Sequence, residues 1–534
     1  MRDMTGLSPG VAAGFAKSAR PARVATPRRE LRAILDGMRP SSRRAALLAV
    51  AIVLAAAGCG SRATTAGPRP EPRPQASAAV QAYAAARWIP ARPTYALAAR
   101  TVGDAQRAAG DLLAFGALVD IDAAAISHLL SGVLAVDPLS PRALAEVGVD
   151  LDGSVALFSE AVNPTLVVHL AAPALMQAFL DRQRALGMRT QSVMDGGVEI
   201  FTVALPGRLR ISWAIDEGWL WVHFTLPFAR DEGTAWFSAS RRPGAPAWAG
   251  DWRWALGSGG QGARPAVVGF VDARAVIESL SPRIPAAIAC AQLLAPVRRL
   301  AVAVEIGDRL GGRLALELGD AAAGLARAAL PAPAGWSAAA ARAPLAAQWN
   351  LDLAAVRAHV APCARALDVD LSPLDRYGVR TARAILQRYD PDKPTNSRGA
   401  VAFDLVHRTY AAQLLDEIPG RSLIQRRRTF GPYQGYSLAI PFGGPTLEYV
   451  LDDQRALAGL GEGVLAAVLG QGPGAPGPLL AIDVSPPAMP REAWAGLLGW
   501  VNQRPDALLA WRELHLAVAV EGTRLVIDAS GRRR

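Results

Sequence analysis

Apolar and polar positions alternate through much of the chain, and the alternation predicts strands. Trp213, Trp219 and Trp221 alternate in such apolar runs and read as strand residues packing a core. Strands are expected at Tyr95 to Arg100, Val155 to Ser159 and Thr165 to Leu170, with a meander through Phe224. A helix is expected near Pro173 to Leu186. Leu175, Phe179 and Leu186 recur there at helical spacing, and Pro173 suits the first turn, where its missing N–H costs nothing. A strand at Ala266 to Val271, a helix around Ala273 to Leu294, and strands at Leu300 to Glu305 and Leu310 to Leu318 follow. Gly307-Asp308 separates the last two as a hairpin turn. Helices interrupting mostly antiparallel strands define an α+β class.

The pattern recurs. Residues Gly196 to Pro206 align without a gap to Gly431 to Pro441, an offset of 235. Ile215-Asp216-Glu217 aligns with Leu451-Asp452-Asp453, and Val147-Gly148-Val149 echoes Tyr377-Gly378-Val379. Leu300 to Glu305 returns letter for letter as Leu516 to Glu521. The expected architecture is two tandem copies of one α+β unit, residues 80–325 and 335–534. The second copy opens on a strand at Leu345 to Leu351, and the Ala/Pro-rich segment Ala321 to Ala334 is the boundary.

Ahead of the copies lies a different pattern. Arg39, Arg43 and Arg44 precede an unbroken apolar run of 13 residues, Ala45 to Ala57, and then Gly58-Cys59. A spanning helix needs about 20 apolar residues, so this basic flank with a short apolar core reads as a signal peptide. The run Leu54-Ala55-Ala56-Ala57-Gly58-Cys59 resembles the lipobox of bacterial lipoproteins. That resemblance implies that Cys59 is acylated and becomes the mature N-terminus. Ala56 stands where leucine is commoner. Gly60, in place of an aspartate that would retain the protein at the inner membrane, implies the outer membrane, facing the periplasm. On this reading 38–59 is the signal and Met38 the start, and 1–37 is an over-annotated or disordered leader. Residues 60–79, with Pro68-Arg69-Pro70-Glu71-Pro72-Arg73-Pro74, form an extended tether.

Charge then loses its apparent meaning. The net charge is +11, but residues 1–37 hold seven basic groups against three acidic, and the signal adds Arg39, Arg43 and Arg44. The mature chain keeps about +4, and its folded part is nearly neutral, so no nucleic-acid footprint is expected. Lys17 and Lys393 are the only lysines, a bias that speaks of base composition. Beyond the signal, the remaining cysteines are Cys290 and Cys363. An oxidising periplasm permits a disulfide between them, and two separately buried thiols fit the sequence equally well.

The chemistry of the chain is sparse. His128, His169, His223, His359, His407 and His515 form no HExxH and no ligand pair at helical spacing, so structural roles are expected and no metal site. There is no GxSxG elbow and no phosphate loop; Gly257 to Gly262 is glycine-rich but lacks the lysine. Asp150-Leu151-Asp152-Gly153 reads as a turn rather than a calcium loop. Asp216-Glu217 and Asp452-Asp453 likewise read as hairpin turns. Trp236, Trp248, Trp252 and Trp254 read as core or loop anchors, with a groove lining as the lesser reading.

The stretches Trp88-Ile89-Pro90-Ala91-Arg92-Pro93-Thr94-Tyr95-Ala96-Leu97 and Gly148 to Leu157 also resemble an uncharacterised tandem-repeat family of the bacterial envelope, which implies a noncatalytic envelope protein. The leading expectation is a lipid-anchored binding or scaffold module. It has no catalytic, cofactor or metal residues, it is held to the membrane through Cys59, and its partner is another envelope protein, a glycan or a lipid. The alternatives are a periplasmic lipid or lipoprotein carrier with an apolar groove and, less favoured, a hydrolase.

Overall fold

The computed structural model describes residues 82–534 except 117–130, 132–134, 160–161, 186–189, 206–208, 228–230, 242–264, 281–294, 367–377, 391, 394–395, 408–424, 440–445, 471–476 and 500–504. The fold is mixed α+β, and the described residues build one large antiparallel sheet of 20 strands. The first ten are β1 Tyr95–Ala99, β2 Val155–Ser159, β3 Thr165–His169, β4 Thr190–Asp195, β5 Val198–Ala204, β6 Arg210–Asp216, β7 Trp219–Thr225, β8 Val267–Val271, β9 Arg299–Ile306 and β10 Leu310–Glu317. The second ten are β11 Leu345–Trp349, β12 Val379–Arg388, β13 Arg398–Leu405, β14 Gln425–Phe430, β15 Tyr433–Ala439, β16 Thr446–Leu451, β17 Arg455–Leu460, β18 Leu480–Val484, β19 Trp511–Glu521 and β20 Arg524–Arg533.

Strand pairing runs β4-β5-β6-β7-β3-β2-β1-β8-β9-β10 through the first ten. It runs β14-β15-β16-β17-β13-β12-β11-β18-β19-β20 through the second. Each strand of the first series therefore has its counterpart ten strands later. The two series do not form separate sheets. β10 pairs with β20 over eight positions, from Leu310↔Gly531 to Glu317↔Arg524, and makes them one. Ion pairs decorate this seam: Arg313 with Glu521 at 2.5 Å and Arg309 with Glu513 at 2.8 Å. Such partly exposed pairs are worth at most about 1 kcal/mol each; the ladder and the cores beneath it hold the seam.

Five apolar clusters cover the sheet. In the first series, Trp88, Trp219, Trp221, Trp236 and Phe237 pack with Phe158 and Val268 under the short helices Ala84–Trp88 and Ala235–Arg241. On the other face Trp213, Val168 and Leu220 meet Val102, Val149 and Met176, which belong to or border the helices Val102–Gly116, Pro141–Glu146 and Pro173–Ala185. Alternation explains the split: Trp219 and Trp221 share one face of β7, and Leu220 takes the other. In the second series Ala346, Ile385 and Ala400 pack against Trp336, Val464 and Leu465 of the helices Trp336–Ala340 and Val464–Leu469. The last two clusters straddle the seam, as the first does at Ala315 and Val526. One joins Leu316 and Leu325 to Leu351, Val356, Val518 and Leu525, and the other joins Ala108, Val304 and Leu310 to Trp494, Trp511 and Leu514.

The expected boundary, Ala321 to Ala334, is structured in part. Ala321–Arg327 is helical, with Leu325 fully buried in a seam core, and Leu330 N–H donates to the Asn350 carbonyl. The helix expected at Ala273 to Leu294 is described for Ala273–Leu280. Among the described residues no helix is long and apolar enough to cross a membrane.

Candidate functional site

A convergence of buried polar groups lies at one end of β11, β12 and β13. Arg383 on β12 is 3% exposed and Asn350, just past β11, is fully buried. Arg383 Nε donates to Asn350 Oδ1 at 2.6 Å, and one terminal nitrogen donates to Asp404 Oδ2 at 2.9 Å. The other terminal nitrogen donates to the Leu330 and Pro331 carbonyls at 3.4 and 3.1 Å. Thr381, directly opposite Asp404 in the β12–β13 register, donates its hydroxyl to the same Asp404 oxygen at 2.5 Å. Asn350 spends its own amide on the Pro478 carbonyl at 2.7 Å. At the rim, Arg455 lies 3.8 Å from the second Asp404 oxygen and donates to the Tyr433 hydroxyl. Arg380 pairs with Asp352, and this bond holds the Arg380 guanidinium pKa above its ordinary value.

Chemically this is a clamp. A guanidinium's planar fork suits several acceptors at once, and here it binds strand β13, the end of β11 and the segment that enters the second series. The position that pairs the same way in the first series is Ala156, opposite Ala98 as Arg383 is opposite Gln348. There the hydroxyl of Ser154 does a smaller version of the work, donating to the Ala99 carbonyl at 2.7 Å and accepting from Ala85 N–H.

Among the described residues, three histidines have a polar side-chain partner, and His515 Nδ1 lies 2.5 Å from Asp483 Oδ1 at an exposed site. His169 Nδ1 lies 2.8 Å from Asp150 Oδ2, beside the edge of Trp219 with ring centroids 5.0 Å apart. His223 on β7 is 1% exposed, with Nδ1 2.9 Å from the Thr165 hydroxyl and its ring stacked on Trp236 at 4.7 Å. Its Nε2 has no hydrogen-bond partner among the described residues. Burial pushes the His223 pKa down to about 4, so the ring is neutral at pH 7. Below about 6.5 the unfolded chain takes up a proton that the folded chain refuses. Stability is therefore full above that pH and falls as pH drops toward 4, by about 3 kcal/mol in total. His223→Phe keeps the stack on Trp236 and removes the titration. Denaturant unfolding at pH 7.5 and 4.5 should show a loss in the wild type that is smaller by about 2 to 3 kcal/mol in the variant.

The acidic pairs are turns, as expected. Glu217 and Gly218 have φ of 47° and 79° between β6 and β7, and Asp452 accepts from Gln454 N–H at 2.8 Å. Asp150 likewise closes a turn by accepting from Asp152 N–H at 3.1 Å. Trp213, Trp219, Trp221 and Trp236 are buried; Trp248, Trp252, Trp254 and Gly257 to Gly262 lie outside the described residues. So do Cys59 and Cys290. Cys363 lies in the helix Leu353–Ala366, with its side chain outside the description. Among the described residues no group of three or more His, Cys, Asp or Glu could hold a metal ion.

The Arg383 cluster was not anticipated from the sequence. Part of its signal was there: Asp404 interrupts the apolar run Ala400 to Leu405, and a charge placed inside such a run is costly unless paired, whereas Arg383 sits in a strand that already carries Arg380 and Arg388. No protein-family model, curated protein or solved structure matches the chain.

Proposed function

We propose that this is a lipid-anchored protein of the cell envelope, facing the periplasm from the outer membrane, whose duplicated α+β body is a noncatalytic binding or scaffold module. The observation that carries it is the order Arg39, Arg43, Arg44, apolar run, Leu54-Ala55-Ala56-Ala57-Gly58-Cys59. Duplication is supported by the pairing order of β1–β10, which recurs in β11–β20. It is supported too by the self-matching segments, which fall on equivalent strands: Val198 to Ala204 on β5 with Tyr433 to Ala439 on β15, and Leu300 to Glu305 on β9 with Leu516 to Glu521 on β19. A scaffold role is supported by the use of the buried polar cluster around Arg383 as internal bracing. The partner is another envelope protein, a glycan or a lipid.

The test is direct. Cys59→Ala should abolish incorporation of labelled fatty acid and shift the product from the membrane to the soluble fraction. Labelling that persists in the variant would remove the anchor, and with it the envelope assignment. Crosslinking in cells of the acylated protein then identifies the partner class.

A further inference from the structure

We propose that β4 is a self-association edge, at which a second copy of this chain adds its own β4 antiparallel to continue the sheet. The twenty-strand sheet ends at β4 and at β14, each paired on one side only among the described strands. The two ends differ in how they meet solvent. β14 carries Arg426, Arg427 and Arg428 in succession, all exposed, a charge block of the kind that keeps edges apart. β4 reads Thr-Gln-Ser-Val-Met-Asp, with no Lys, Arg or Pro and no register shift against β5. Val193 is 55% exposed and Met194 64%, among the most exposed large apolar side chains described.

Register decides what this edge accepts. β4 and β5 are joined by the two-residue turn Gly196-Gly197, with φ of 57° and 85°. In such a hairpin the flanking pair exchanges both backbone bonds, and alternate residues follow. Asp195, Val193 and Gln191 therefore point their N–H and C=O toward β5, and Met194, Ser192 and Thr190 point theirs outward. A two-fold axis normal to the sheet keeps each face continuous, so residues of the same parity must meet. With the axis at Val193, the two Val193 side chains face each other in a closely spaced non-hydrogen-bonded pair. Ser192 then exchanges backbone bonds with Met194 of the second copy, and Gln191 lies opposite Asp195. No like charges meet. The same operation on β14 sets Arg427 against Arg427, or Arg428 against Arg428, and is repelled. One end of the sheet is self-complementary and the other is not, so the association closes as a dimer and does not propagate.

This inference does not depend on acylation, and the test uses the full chain carrying Cys59→Ala. Sedimentation over a rising concentration series should show a monomer–dimer equilibrium. Val193→Lys, at an exposed site, should weaken it by at least about tenfold, and Val406→Lys, at a site 56% exposed elsewhere, should leave it unchanged. In the same background Val193→Cys should give an oxidised dimer, and Gln191→Cys should not exceed the level of the parent chain. A monomer at every concentration, a dimer unmoved by Val193→Lys, or equal loss in Val406→Lys would overturn the proposal.

Discussion

Replacing Arg383 with methionine should lower the free energy of unfolding by about 3 to 5 kcal/mol. The size follows from what the change leaves behind. Arg383 makes four hydrogen bonds at 3% exposure. Methionine fills the volume but takes the donor from the Asn350 oxygen and from the Leu330 and Pro331 carbonyls, and it leaves Asp404 with only the Thr381 hydroxyl and Arg455 at the rim. A broken buried pair costs more than the pair was worth, because the remaining charge keeps its desolvation penalty. Arg383→Lys should recover little, since one ammonium cannot reach Asn350, Asp404 and the two carbonyls together. Removing Asp404 as well, in Arg383→Met with Asp404→Leu, should restore part of the loss, and the double-mutant cycle reads the coupling. Guanidinium midpoints at unchanged m-value give the numbers. A loss under about 1 kcal/mol for Arg383→Met would show that the cluster is ornament and not bracing.

The second large effect is expected at the seam. Trp511→Ala should cost about 3 to 5 kcal/mol. Trp511 is fully buried in the core that joins Ala108, Val304 and Leu310 of the first series to Trp494 and Leu514 of the second. The fit is close: a Cβ added to Gly531 would stand 2.6 Å from the Trp511 ring. Because both series wall this core, the damage should not stay in one half. Native-state hydrogen exchange should report reduced protection in β9 and β10 together with β19 and β20. Loss confined to β19 and β20 would mean that the two series are stabilised independently, despite the β10–β20 ladder.

Much of the secondary structure was legible because it rests on local rules. Val155 to Ser159 was located to the residue, and Tyr95, Thr165, Pro173, Leu310 and Leu345 each open the element expected of them. Alternation fixes which residues of a half-buried strand face a core, and a proline at a helix start has few other uses. The turns at Asp216-Glu217 and Asp452-Asp453 were equally legible, from chemistry that acts over two or three residues. The Arg383 cluster was not. Its members span Leu330 to Asp404, and only the pairing of β11, β12 and β13 brings them within reach.

What the sequence determined by itself was the kinds of element, their order, and an internal similarity strong enough to align strands ten apart. That two expected sheets are one emerged from the three-dimensional arrangement alone. The apolar pairs Ala315-Leu316 of β10 and Leu525-Val526 of β20 specify that both faces are covered and are silent on what lies beside the edge. Backbone N–H and C=O groups along an edge are chemically alike whatever the side chains, so any free, flat edge of the right length satisfies another. The choice of β20 as the neighbour of β10 came from cores on the sheet that close only when the two series lie side by side.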